Sequence, residues 1–211
     1  MTHRTVFRDL LESAAGGQLP DWTRVADALT VRRIAAGGAV FLQDVEHPFV
    51  YAVQAGLLKL CYLSEEGTEW IKSFASEGGF FASIAALQPK GRTSFTVTVI
   101  EDSVLERIDY QLLADLARQH LAWSRALHAM TMIFAARKEA RERDLLTLNA
   151  EDRYLAFCAR EPDLASRIPQ KDLARYLGVT PVGLNRIVMR VRRLEGRPKS
   201  FPSTSAGRTR A

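Results

Sequence analysis

The chain has 211 residues, with 29 Lys and Arg against 24 Asp and Glu for a formal charge of +5, and two cysteines. That length holds one large domain or two modest ones with a real core. No apolar run approaches the roughly 18 residues of a membrane span, and Arg4, Arg8, Asp9 and Glu12 interrupt any signal-peptide pattern, so a soluble cytoplasmic protein is expected. Cys61 and Cys158 stand far apart among apolar neighbours, as buried thiols do. Two thiols are also too few for an iron–sulfur cluster, which normally takes four. The charge is uneven: residues 1–150 carry 16 basic against 18 acidic side chains, whereas residues 151–211 carry 13 against 6. A charge that served only solubility has no reason to segregate, whereas a nucleic-acid module joined to a second domain does.

In chain order, residues 7–15 and 21–29 read as short helices packed at the entrance of a β region. From about Leu29 to Ile108 come β-rich runs at 31–34, 40–43, 49–54, 57–63, 70–74, 95–100 and 104–108. Between them stand turns at Gly37-Gly38, Glu46-His47-Pro48, Ala55-Gly56, Glu65-Glu66-Gly67, Gly78-Gly79, Lys90-Gly91 and Glu101-Asp102. No connection is long enough for a crossover helix, so an antiparallel jelly roll or barrel is predicted. A jelly roll also suits metal-dependent enzymes, whose sites gather two or more His and a carboxylate inside the barrel. The β region holds His47 alone, beside Pro48; His120 and His128 fall on a later helix and His3 near the N-terminus. No Ser-His-Asp or Cys-His pairing stands out, so no enzyme, metal or cofactor is expected.

Asp109 is placed to cap a helix that begins near Tyr110. Leu113, Leu116, His120, Trp123, Leu127, Met130 and Phe134 then recur three and four apart, the pattern of a coiled-coil seam. Gly and Pro are absent from 110 to 161, which predicts one long helix over 111–147. Its seam (Leu116, His120, Trp123, Leu127, Met130, Phe134) is expected to bury itself against a second copy of the chain. Arg137, Lys138 and Arg141 end the apolar stripe. Asn149, with Asp152 three residues on, reads as an N-cap and sets a hinge near 147–149.

The stretch 168–194 reads as a helix-turn-helix. Leu173, Ala174 and Leu177 share one face of a first helix; Gly178 supplies the permissive backbone of a tight turn; and Val179 plugs the space between the helices. Thr180 is a good N-cap, and Pro181 stands at the first helical position, where its missing N–H costs nothing. The second helix turns Leu184, Ile187, Val188 and Val191 inward and keeps Val182, Gly183, Asn185, Arg186, Arg190 and Arg193 outside. A helical hairpin of an ordinary core gives no reason for that run of outward arginines.

With these motifs, and with Arg153-Tyr154-Leu155, Ile168-Pro169-Gln170, Tyr176-Leu177-Gly178-Val179-Thr180-Pro181 and Arg186-Ile187, the sequence resembles the winged-helix regulators of the Crp/Fnr family, from about Arg24 to Leu194. The resemblance implies an α+β fold in four parts. These are a cyclic-nucleotide-binding-like effector β-roll over 1–110, a dimerisation helix over 111–147, a helix-turn-helix domain over 148–194, and a basic tail over 195–211. The tail is rich in Pro, Gly, Ser and Thr and is expected to be disordered; it is a poor β-wing. The implied function is a homodimeric transcription regulator on a palindromic double-stranded DNA operator, with RNA polymerase as a further partner and no membrane. The alternative is a ligand-binding signalling protein whose helix pair meets another protein.

The resemblance also locates the effector pocket, at Phe81, Ala82, Ser83, Arg92, Thr93 and Ser94. Cyclic-nucleotide binders carry a Gly-Glu pair where Ala82-Ser83 stands, and an Arg-Ser or Arg-Thr pair where Thr93-Ser94 stands. The ribose-binding carboxylate is therefore missing and Arg92 is one residue early, which turns a strand side chain to the other face. Cyclic AMP is not expected to bind; some other small-molecule effector, or none, is left open. On the DNA side, members with well-defined operators carry Arg-Glu where Pro181-Val182 stands, so those contacts do not transfer. Arg186 matches the family's base-reading arginine. Val182 is suited to a thymine methyl, Asn185 to a base edge or phosphate, and Gly183 to close approach. Arg190, Arg193 and Lys171 are suited to phosphate.

Overall fold

The computed structural model describes residues 5–195. Two short helices open the chain, α1 (Val6–Ala15) and α2 (Trp22–Ala28). They are followed by β1 (Thr30–Ile34), β2 (Ala39–Phe41), β3 (Phe49–Leu63), β4 (Glu69–Ser76) and β5 (Phe80–Phe81). A single 3-10 turn at Ile84–Leu87 leads to the last strand, β6 (Thr96–Asp109). All pairings are antiparallel, with the order β1-β6-β3-β4, β2 also on β6 and β5 also on β3. This is the antiparallel roll expected from the sequence.

Two of the expected turns are not turns. Ala55-Gly56 lies inside β3 and Glu101-Asp102 inside β6, and the two strands pair across both. The register shifts between Val53 and Ala55, again between Ala55 and Leu57, and again between Leu57 and Leu58. Gly56 sits at φ 103°, and a Cβ there would stand 2.1 Å from the Ser103 hydroxyl oxygen. The glycine thus marks a bulge that bends a long strand rather than reversing it, which is how a roll curls without breaking its ladder.

α1 is fastened to this roll through a buried carboxylate. Glu106 of β6 is fully buried, and its two oxygens accept from the backbone N–H of Val6 at 2.9 Å and of Phe7 at 2.7 Å. The Gln54 amide donates to it as well, at 2.6 Å. A negative group at a helix N-terminus satisfies otherwise orphaned donors and meets the positive end of the helix dipole.

Past the roll, Asp109 caps α3 (Tyr110–Gln119) by accepting from the Gln111 N–H at 2.7 Å, as expected. The single long helix is corrected: His120 adopts an extended backbone, φ −135° and ψ 124°, and divides α3 from α4 (Leu121–Thr147). Its ring meets the Asp21 carboxylate at 3.0 Å. Three of the expected seam residues are turned into their own chain. Leu116, Trp123 and Met130 are buried in one cluster with Phe7, Leu11, Trp22 and Val25 of their own chain, with Leu127 and Phe134 packed against it. Trp123 stacks on Trp22 with ring centres 6.1 Å apart and donates its indole N–H to the Pro20 carbonyl at 2.8 Å. The buried part of the stripe packs on α1, α2 and the roll, where Phe134 meets the Phe80 ring with centres 4.6 Å apart.

Asn149 caps α5 (Ala150–Arg160), accepting from the N–H groups of Glu151 and Asp152, each at 3.0 Å. The break between α4 and α5 falls where the hinge was expected. Then come α6 (Pro162–Arg167), α7 (Gln170–Leu177) and α8 (Pro181–Glu195). The tail beyond Glu195, with its expected disorder, lies outside the described residues. Among the described residues no helix is long and apolar enough to cross a membrane.

Candidate nucleic-acid interface and effector cleft

The helix pair forms as its sequence dictates. Gly178 takes the left-handed conformation at φ 70° and closes α7, its N–H and that of Val179 bonding back to the last turn. Thr180 accepts from the Gly183 N–H at 3.0 Å, the N-cap bond expected of it. Leu173, Ala174, Leu177, Leu184, Ile187 and Val191 are all buried. Leu173, Ala174, Leu177 and Leu184 share a cluster with Phe157, Ile168 and, from the roll, Leu57. The opposite side of α8 presents Val182, Asn185, Arg186, Met189, Arg192 and Arg193 as exposed side chains, and Lys171 is exposed at the start of α7. Met189 was not among the candidates, because a methionine in a basic helix reads as core until its angular position is worked out.

Arg190 is exposed but paired within its own chain. Its guanidinium lies 2.7 Å from the Glu151 carboxylate of α5. It sits on the flank of the helix nearest α5, where a carboxylate of the α5 first turn is in reach.

The helical part docks on the roll through ion pairs that no local motif announces. Arg167 at the end of α6 reaches Glu77 at 2.9 Å and Glu101 at 3.1 Å. The hydrogen bonds from Arg167 hold the Glu77 carboxyl down to about 2. Arg175 of α7 pairs with Glu69 of β4. Lys59 of β3 pairs with Glu69 at 2.8 Å and approaches Asp172 at 3.5 Å. Burial works against the ionised Glu69, yet Lys59 beside it keeps its carboxyl below the ordinary value. Arg141 of α4 lies 3.8 Å from the centre of the Tyr176 ring and donates to the Ile71 and Tyr176 carbonyls, at 3.0 and 2.9 Å. Together these fix α7 against β4 while leaving the outer face of α8 clear.

The candidate effector residues do come together, but their polar atoms are consumed. Ser83 is buried; its hydroxyl accepts from the Ser94 N–H at 3.0 Å and lies 3.4 Å from the Ser94 hydroxyl. The buried Thr93 hydroxyl donates to the Leu42 carbonyl at 2.6 Å and accepts from the Val45 N–H at 3.0 Å. Arg92 is exposed and pairs with Asp44 at 2.7 Å, on the outside. Phe81 stacks flat on Tyr51, 5.0 Å between ring centres, and Phe41 and Phe95 close the same cluster. His47 lies parallel to Tyr51 and 2.9 Å from its hydroxyl; burial first, then Arg107 and Arg32, depress its ionisation. Ala82 is buried beside them. Among the described residues no three His, Cys, Asp or Glu side chains gather as a metal site would need.

Comparison with known proteins fits this architecture. Residues 31–120 match the cyclic nucleotide-binding domain family. No curated protein sequence matches the chain. Among solved structures, FixK2 from Bradyrhizobium japonicum is similar at a TM-score of 0.70 and 19% identity, over 79% of this chain and 86% of that one. The regulator CLP of Xanthomonas campestris, described as responsive to c-di-GMP, is similar at 0.65 and 17%, over 84% and 94%. The catabolite activator protein of Thermus thermophilus is similar at 0.51 and 21%, over 88% of each. The chain therefore has the Crp/Fnr fold, a β-roll of the cyclic-nucleotide-binding type followed by C-terminal helices, as the sequence resemblance implied.

Proposed function

We propose that this chain is a homodimeric, sequence-specific DNA-binding transcription regulator of the Crp/Fnr type, acting in the cytoplasm, whose roll no longer takes a cyclic nucleotide. One observation carries the reading. A capped helix α8, packed along one side, offers an exposed face with Asn185, Arg186 and Arg193, in the part of the chain that holds the whole basic surplus. In this geometry the second helix of the pair enters the major groove, and two copies related by a two-fold axis read the halves of a palindromic operator. RNA polymerase is the further partner such a regulator meets. Catalysis has no part in it.

Self-association falls to the outer face of α4, since the inner one is spent on α1. Leu121 and Met132 are exposed there at 66% and 54%, opposite the buried Trp123 and Met130. Met132→Glu places a carboxylate from each copy in the seam, at a cost of several kcal/mol. It is expected to sediment as a monomer where the parent sediments as a dimer. The DNA reading is tested by retention of arbitrary duplex DNA across a salt series. Counterion release makes binding fall linearly in log–log form with added salt. Binding that is absent at low salt, or flat with salt, refutes it.

A further inference from the structure

Resting on that reading, we infer that α8 reads thymine methyl groups through Val182 and Met189, on either side of a base pair read by Arg186. At 3.6 residues per turn, Val182, Met189 and Arg193 fall within about 20° of one line along the helix. That line lies opposite Leu184, Ile187 and Val191, which are buried. It is the crest of the helix, flanked by Asn185 and Arg186. Val182 and Met189 are each 63% exposed.

A crest aimed at the groove floor decides what is read there. Arginine on such a helix answers to phosphate or guanine, but a valine and a methionine have nothing to offer a hydrogen-bonding edge. The floor of the major groove presents one apolar group, the C5-methyl of thymine. The two side chains are seven residues apart, roughly 10.5 Å along the axis. That matches about three base steps at roughly 3.4 Å each. Arg186 lies between them along the axis. Gly183 adds no side chain beside Val182, and the backbone there is already close to the Thr180 hydroxyl, 3.1 Å from where a Cβ would stand. The half-site is therefore a guanine with thymines about three steps apart around it.

The test selects binding sites from a random duplex pool with the full-length protein, then remakes the selected site with deoxyuridine at each thymine in turn, which removes a methyl and nothing else. Two positions about three steps apart are expected to weaken binding about fourfold each, the worth of one buried methyl. Met189→Ala is expected to lose the response at one of them and keep it at the other, and Val182→Ala the reverse. Both side chains are largely exposed, so both variants are expected to melt with the parent. A selected site indifferent to deoxyuridine, or variants that keep both responses, overturns methyl reading and leaves the regulator standing. A pool with no enrichment overturns sequence-specific reading by α8, and this inference with it.

Discussion

Two sets of polar side chains in this molecule have opposite fates. In the roll, Ser83, Thr93, Ser94 and Arg92 all end on groups of their own chain. On α8, Asn185 and Arg186 stand out from a helix whose other side is packed. The first set lies where the sequence resemblance places an effector pocket, yet a ligand there would have to break bonds already made. Among the described residues the second set has no side-chain bond to give up on binding. Buried hydroxyls with partners are structure; exposed guanidiniums on a preformed helix are free to meet a ligand, which on the proposed function is DNA.

The largest effect that separates the two regions is on stability. Glu106→Leu leaves the N–H groups of Val6 and Phe7 without their buried acceptor, at a cost of roughly 3 kcal/mol. In a chain of this size that lowers the melting temperature by roughly 6–12 °C. Differential scanning calorimetry checks it, and DNA affinity of the folded fraction is expected to stay put. A melting temperature within a degree of the parent would mean that the roll does not depend on its inward polar groups.

Next in size, Arg186→Ala inverts that result. Its side chain is exposed, so stability is expected to move by less than about 0.5 kcal/mol. Preference for a palindromic site over arbitrary duplex falls by roughly 10- to 100-fold, the worth of a bidentate arginine–guanine pair. Competition binding at one fixed salt concentration reads the ratio. Undiminished preference would remove Arg186 from base reading.

How much of the molecule was legible in the sequence depends on how local each signal is. The helix pair was legible almost to the residue, since Gly178, Thr180 and Pro181 act on their own backbone, and the apolar spacing of Leu184, Ile187 and Val191 needs no partner to be read. The caps at Asp109 and Asn149 were legible for the same reason. Gly56 was visible as a special backbone position, but a turn and a bulge use the same glycine, and only the pairing of β3 with β6 tells them apart. The stripe through Trp123 and Met130 named a buried face without naming what buries it, because periodicity carries no information about the partner surface. Arg167 and its carboxylates were illegible altogether. The three residues come together only once α6 lies across the end of β4 and the middle of β6.

That docking gives a smaller effect with a defined sign. Glu77 titrates near 2, well below its ordinary 4.5, because Arg167 bonds its ionised form. A carboxyl depressed on folding contributes stability that is complete above about 4.5 and is lost as pH falls toward 2. Glu77 is partly exposed, so the contribution stays below about 1 kcal/mol. Unfolding followed between pH 5 and pH 2.5 is expected to show a steeper acid loss in the parent than in Arg167→Gln. Parallel curves would mean that the pair does not hold the helices to the roll.

The smallest expected effect is none at all, and it bears hardest on the comparison. Cyclic AMP or cyclic GMP at roughly 100 µM is expected to leave the melting temperature unchanged, whereas a ligand of roughly 1 µM affinity would stabilise the fold by about 2.7 kcal/mol. Ser83 has no carboxylate to hold a ribose hydroxyl, and its own hydroxyl is bonded to Ser94. Thr93 has no unspent hydroxyl for the cyclic phosphate, and Arg92 points away to Asp44. Asp44→Ala sharpens the point, because it removes the carboxylate that holds Arg92 and leaves only the backbone carbonyl of residue 44. Even with the guanidinium swung inward, the phosphate would gain a counter-charge while the ribose would still lack its carboxylate, so no shift is expected from this variant either. A shift in the parent would mean that the roll is a working cyclic-nucleotide site. A shift confined to Asp44→Ala would mean that one surface ion pair, rather than the lost carboxylate, keeps the cleft closed to these ligands.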